Sequence, residues 1–136
     1  MLTRKQAREN AFILIFEKSF NDTAFDELLD TAKSVREFET DEYVEKVLLG
    51  VYDDIENIDS IISENAKGWK IDRISRVVLS LIRLAIYEIL NMPEIPVNVS
   101  VNEAVVLCKK YATEEDAAYL NGILGTVARK YAKEEK

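Results

Sequence analysis

The fold turns on residues 74–90, Ile74-Ser75-Arg76-Val77-Val78-Leu79-Ser80-Leu81-Ile82-Arg83-Leu84-Ala85-Ile86-Tyr87-Glu88-Ile89-Leu90. Val77, Val78, Leu81, Ile82, Leu84, Ala85, Ile86, Ile89 and Leu90 cover most of a helix circumference, which predicts a central helix buried on nearly every side. Other helices must surround it. On its carboxy side, Pro93 and Pro96 stop the helix and mark a turn. Ser100-Val101-Asn102-Glu103 has the Ser-x-x-Glu form of a capping box, so the next helix is expected to start at Ser100 and run to about Ala112. Thr113-Glu114-Glu115-Asp116 offers a further cap with an acidic first turn. The helix it opens carries Tyr119-Leu120-Asn121-Gly122-Ile123-Leu124. Ala117, Leu120, Ile123, Leu124 and Val127 keep helical spacing there, despite an Asn-Gly pair that elsewhere signals a hairpin. Glycine inside a helix costs about 1 kcal/mol against alanine, and the expected reason for Gly122 is close approach of another helix.

On the amino side, Thr3 is read as the cap of a first helix with Ala7, Ala11, Phe12, Leu14 and Ile15 in one stripe, ending near Ser19-Phe20-Asn21-Asp22. Thr23 opens a short second helix with Phe25, Leu28, Leu29 and Ala32 inward. Thr40-Asp41-Glu42-Tyr43 begins a long third one, whose period is sustained by Val44, Val47, Leu48, Val51, Ile55, Ile58 and Ile62 as far as Asn65; Gly68 breaks it. No segment alternates as a strand would. The expected architecture is an all-α single domain over residues 1–136, a bundle of six or seven helices. It divides loosely into an amino-terminal group, about residues 1–66, and a carboxy-terminal group, about residues 69–136.

A chain of 136 residues, 48% of them hydrophobic, suits one domain. It has no apolar run of membrane-spanning length, and its start, with Arg4, Lys5 and Arg8 soon followed by acids, lacks the apolar core of a signal peptide. A cytoplasmic location is expected. The chain has no histidine, which removes the commonest general base and every His-containing zinc site. Cys108, among Val105, Val106 and Leu107, reads as a small buried hydrophobe. Asp53, Asp54, Glu56 and Asp59 lack the glycine and ligand alternation of a calcium loop, and they interleave with isoleucines as a wet helix face does. No catalytic residue, metal site or cofactor is expected.

The net charge of −7 argues against polyanion binding by the whole surface. Local charge is another matter. Arg4 and Arg8 share a helix face with Lys5 beside them and Gln6 available for hydrogen bonds, which reads either as a solvated face or as a nucleic-acid patch. Lys109, Lys110, Arg129 and Lys130 add to it if the fold brings them round. Gly122-Ile123-Leu124-Gly125 has the GxxG form of a KH loop, but its middle residues are apolar and no sheet accompanies it.

Gln6-Ala7-Arg8-Glu9-Asn10-Ala11, Gly68-Trp69-Lys70-Ile71-Asp72-Arg73-Ile74, Ile82-Arg83-Leu84-Ala85-Ile86-Tyr87-Glu88-Ile89, Ile95-Pro96-Val97, Val101-Asn102-Glu103-Ala104 and Tyr119-Leu120-Asn121-Gly122-Ile123-Leu124 occur in the order seen in the NusB family of bacterial transcription antitermination factors. The chain resembles that family over nearly its whole length. The resemblance implies a non-enzymatic, all-helical RNA-binding protein that pairs with NusE, a small-subunit ribosomal protein, to hold the boxA element of nascent ribosomal RNA. The RNA polymerase elongation complex is then an indirect partner. It also implies RNA contacts at Arg4, Lys5, Gln6, Arg8, Phe16, Tyr119 and Asn121, with Phe16 equally suited to core packing and Asn121 to binding a neighbouring backbone. Asp72, Arg73 and Glu88 are expected to tie the carboxy-terminal helices together by ion pairs. The helix associated with NusE carries Val78 and Leu79 where the family usually has an acid and a base, so Val78, Leu79 and Ile82 are expected to form a greasier protein contact or to favour self-association. Ala118 stands where a basic residue is common. Two other readings remain: a detached recognition module like the amino-terminal domain of ribosomal RNA cytosine methyltransferases, and a protein-interaction bundle without RNA affinity.

Overall fold

The computed structural model describes residues 2–20, 25–34, 39–66 and 71–131, with the side chains of 25, 26 and 32–34 left out. Seven α-helices occur among them: α1 (Arg4–Lys18), α2 (Phe25–Ser34), α3 (Glu42–Asp53), α4 (Ile55–Asn65), α5 (Arg76–Asn91), α6 (Val97–Tyr111) and α7 (Glu114–Tyr131). A 3₁₀ turn at Ile71–Arg73 precedes α5. The described residues contain no strand. The readings placed on Asn21, Asp22, Thr23, Gly68, Trp69 and Lys70, and on the side chains of Phe25 and Ala32, lie outside the described residues.

α5 is the axis of the bundle, packed against α1, α3, α4, α6 and α7. Ser75 caps it by accepting the Val78 N–H at 3.3 Å. Leu81, Ile82 and Ile86 are wholly buried along it, and burying a side chain of that size contributes about 1.5–3 kcal/mol. Arg83 reaches out to Asp59 of α4 with two parallel hydrogen bonds of 2.8 Å, so one of the acids on the wet face of α4 is an anchor for α5.

Two helix boundaries depart from the sequence reading. The long third helix is two, because Asp54 (φ −113°, ψ 22°) leaves helical geometry between α3 and α4. Its N–H still donates to the Gly50 carbonyl and its own carbonyl still accepts from Ile58. Both helices face the same core, so the apolar period runs through the bend without registering it. α6 starts at Val97, a turn before Ser100, with Pro96 as its N-cap. The Ser100 N–H already pairs with the Pro96 carbonyl, and its hydroxyl donates to Glu88 at 2.7 Å. A buried carboxylate has taken the hydroxyl that the capping box required. The cap at Thr113 does form, its hydroxyl accepting the Asp116 N–H at 3.0 Å.

The close approach expected at Gly122 occurs instead at Gly50. A Cβ on Gly50 would lie 2.3 Å from the Tyr87 ring, whereas one on Gly122 would meet no atom within 4 Å. α3 thus lies against α5 through a glycine, and Gly122 is exposed on α7.

Candidate nucleic-acid interface

The first turn of α1 is held by a reciprocal cap. The Thr3 hydroxyl accepts the Gln6 N–H at 3.1 Å, and Gln6 Oε1 accepts the Thr3 N–H at 2.9 Å. Gln6 is exposed, but its acceptor serves the cap. Arg4 is exposed on the α3 side, its guanidinium 4.4 Å from the Tyr43 ring centroid. Lys5 is exposed on the α6 side and pairs with Glu103 at 3.2 Å.

Arg8 does not share that outer surface. It is 4% exposed and donates to Glu88 at 2.8 and 3.3 Å, with Glu103 at 3.8 Å. Glu88 also accepts from the hydroxyls of Ser100 and Tyr43. Burial pulls the Arg8 pKa down, but the hydrogen bonds and charge of Glu88 hold it above the ordinary arginine value. The i, i+4 spacing places Arg4 and Arg8 on one helix face, yet α5 and α6 cover that face one turn along. Glu88 therefore ties α1 and α3 to α5 and α6, a wider role than joining the carboxy-terminal helices. Asp72 and Arg73 sit exposed on the 3₁₀ turn and form no ion pair among the described residues.

Further along α1, Glu9 accepts from Lys110 Nζ at 2.6 Å and from the Tyr111 hydroxyl, and these donors hold its carboxyl below the usual range. Phe12 contacts Tyr111, and Phe16 stands half-buried between Phe12 and Phe20 with ring centroids 6.2 and 4.9 Å away. Phe20 is 57% exposed under the Arg76 guanidinium, which also donates to the Ser19 carbonyl. Leu79 is half-buried in the same open groove of about 630 Å³, beside Lys18 and Tyr52. Val78 and Ile82, expected at a partner contact with Leu79, are 2% and 0% exposed and belong to the core. Helical spacing alone cannot tell which side of an almost wholly apolar helix stays open.

Tyr119 and Asn121 part company. Each helical residue turns by about 100°, so residues two apart face different neighbours. Tyr119 is half-buried in a groove of about 260 Å³ with Arg73, Ser75 and Asp116, and burial pushes its phenol pKa up. Asn121 is exposed in another groove, about 400 Å³, between α6 and α7, where Asn102, Val105, Lys109 and Ala118 line it. Asn102 and Lys109 belong to no single sequence motif, although their i, i+7 spacing puts them on one face of α6. Cys108 is fully buried, its thiol pushed up to about 11 by burial and by Asp116. It is packing, not a nucleophile.

The family model described as "NusB family" matches residues 5–129. The chain belongs to the NusB family. It is 41% identical to the transcription antitermination protein NusB of Natranaerobius thermophilus, over 97% of this chain and 99% of that protein. Its fold matches NusB of T. maritima with a TM-score of 0.85 at 28% identity, covering 99% of this chain and 97% of that one. It also matches, with a TM-score of 0.83 at 27% identity, a chain from a crystal structure of the antitermination factors NusB and NusE in complex with dsRNA, over 94% of this chain and 97% of the other. The NusB fold thus accounts for the chain almost from end to end.

Proposed function

We propose that this protein is a cytoplasmic, non-enzymatic antitermination factor that holds a boxA-type single strand of nascent ribosomal RNA, pairs with NusE and so acts on the elongating RNA polymerase. The observation that carries this reading is the continuous outer surface of α1, α6 and α7. Lys5 lies on its α1 side next to Glu103, Lys110 follows beside Glu9, and Lys109, Asn102 and Asn121 lie across α6 toward α7. Cations on this surface meet phosphates and carboxamides meet bases, the division of work that nucleic-acid recognition uses. Arg8 is no part of it. Tyr119, half-buried in another groove, and Phe16, half-buried between Phe12 and Phe20, are left for bases that leave this surface.

NusE is placed at the groove where the α1 end meets the α5 start. Exposed Phe20, half-buried Leu79 and Arg76 give the aromatic, aliphatic and arginine mixture typical of protein interfaces. Filter binding of boxA RNA, with and without NusE, tests the reading. Lys5→Glu should weaken RNA retention at unchanged NusE affinity, and Phe20→Asp should do the reverse. Absence of RNA retention under both conditions leaves a protein-interaction bundle instead.

A further inference from the structure

The groove between α6 and α7 is more than a continuation of a charged surface. Its walls carry two exposed carboxamides, Asn102 and Asn121, with Lys109 at one side and Val105, Ala117 and Ala118 as floor. Among the described residues, neither carboxamide has a hydrogen-bond partner. Gly122, next to Asn121, leaves the α7 surface open, with nothing within 4 Å of where a side chain would begin. The groove's volume of about 400 Å³ is enough to admit a single planar base.

The geometry points to a pocket for one unstacked adenine of the bound RNA, read on its edge by Asn102 and Asn121. This rests on the RNA-binding reading above and adds a base preference to it. A carboxamide offers one acceptor and a pair of donors side by side, the complement of adenine's amino group and adjacent ring nitrogen. Adenine's amino group carries two hydrogens, enough for both carboxamide oxygens, whereas uracil has a single ring N–H and can serve only one. The Glu114 carboxylate, also at the groove, accepts only, and so reinforces choice of a base bearing an amino group. Val105 and the alanines supply the apolar floor for the ring. Lys109 is left to hold the phosphate beside it.

Fluorescence anisotropy at low salt tests this with three 12-mers: rA12, rU12 and an rU12 whose sixth residue is adenosine. Wild-type protein should bind the single-adenosine oligomer about tenfold more tightly than rU12, the discrimination a bidentate base contact gives. Asn121→Ala and Asn102→Ala should each lower affinity for that oligomer more than affinity for rU12, at an unchanged melting temperature. Lys5→Glu should weaken all three oligomers alike. Equal affinity of wild-type protein for the uridine and single-adenosine oligomers, or an equal loss on all three in the asparagine variants, overturns the adenine pocket and leaves RNA binding standing. If wild-type protein binds none of the three, both readings fall.

Discussion

Gly122→Ala should stabilise the protein and leave its hold on RNA unchanged. Gly122 lies in the middle of α7 (Glu114–Tyr131), and the added methyl group meets no atom within 4 Å, so there is no steric cost to set against the gain in helix propensity. That gain is about 1 kcal/mol. With about 2 cal/mol/K of unfolding entropy per residue, a chain this long should melt about 4 °C higher. Thermal melts followed by circular dichroism, with urea titrations to confirm an unchanged slope, measure it. An unchanged or lower melting temperature would refute the claim that this position is sterically free. Gly122 does not line the α6–α7 groove, so affinity for the single-adenosine oligomer should stay unchanged as stability rises. Stability gained with RNA affinity lost would show that RNA crosses the open face of α7 at Gly122.

Gly50→Ala should act in the opposite sense, because its Cβ would lie 2.3 Å from the buried Tyr87 ring; overpacking of that kind costs about 1–3 kcal/mol and outweighs the propensity gain, as a urea titration would show. Arg8→Ala should destabilise by about 3–5 kcal/mol by stranding Glu88 in the core. Arg8→Glu, at a position that the family resemblance implies for RNA contact, should instead lose its helical circular dichroism by setting a second carboxylate against buried Glu88. The Glu9 carboxyl is held below its ordinary 4.5 by Lys110 and Tyr111, so the clasp contributes stability above that pH and loses it as pH falls through the lower folded value. The stability difference between wild type and Glu9→Gln should therefore shrink on acidification. On the alkaline side, burial raises the Tyr43 phenol above its ordinary 10.0, so stability is full below pH 10 and declines above it; Tyr43→Phe should flatten that decline. Finally, about three phosphate contacts, from Lys5, Lys109 and Lys110, should give log affinity against log salt a slope near −2 for single-stranded RNA.

The helices were legible because their signals are local. The apolar circumference of residues 76–91, the Thr3 and Thr113 caps and the proline turn each act within a few residues, and each is found where the sequence puts it. What stayed hidden depends on residues far apart in the chain. Ser100 fails as a cap because Glu88 claims its hydroxyl, and Arg8 leaves the surface for the same carboxylate, 80 positions away. The bend at Asp54 leaves the apolar period untouched. For the candidate site, the motif Tyr119-Leu120-Asn121-Gly122 looked like one unit, yet helical rotation sends Tyr119 and Asn121 into different grooves. Val78 and Ile82 showed the converse limit, since an apolar residue on a mostly apolar helix carries no mark of which side remains open.

The carboxylates that clasp Lys5 and Lys110 set a threshold for admission. In the free protein, Glu103 and Glu9 already occupy these ammonium groups as phosphate would, so an incoming polyanion must displace them before it gains anything. A strand that offers only charge exchanges one anion for another and departs quickly. On the proposed RNA-binding reading, one that also fills the neighbouring groove keeps its place, so a protein of net charge −7 sorts strands by more than their charge.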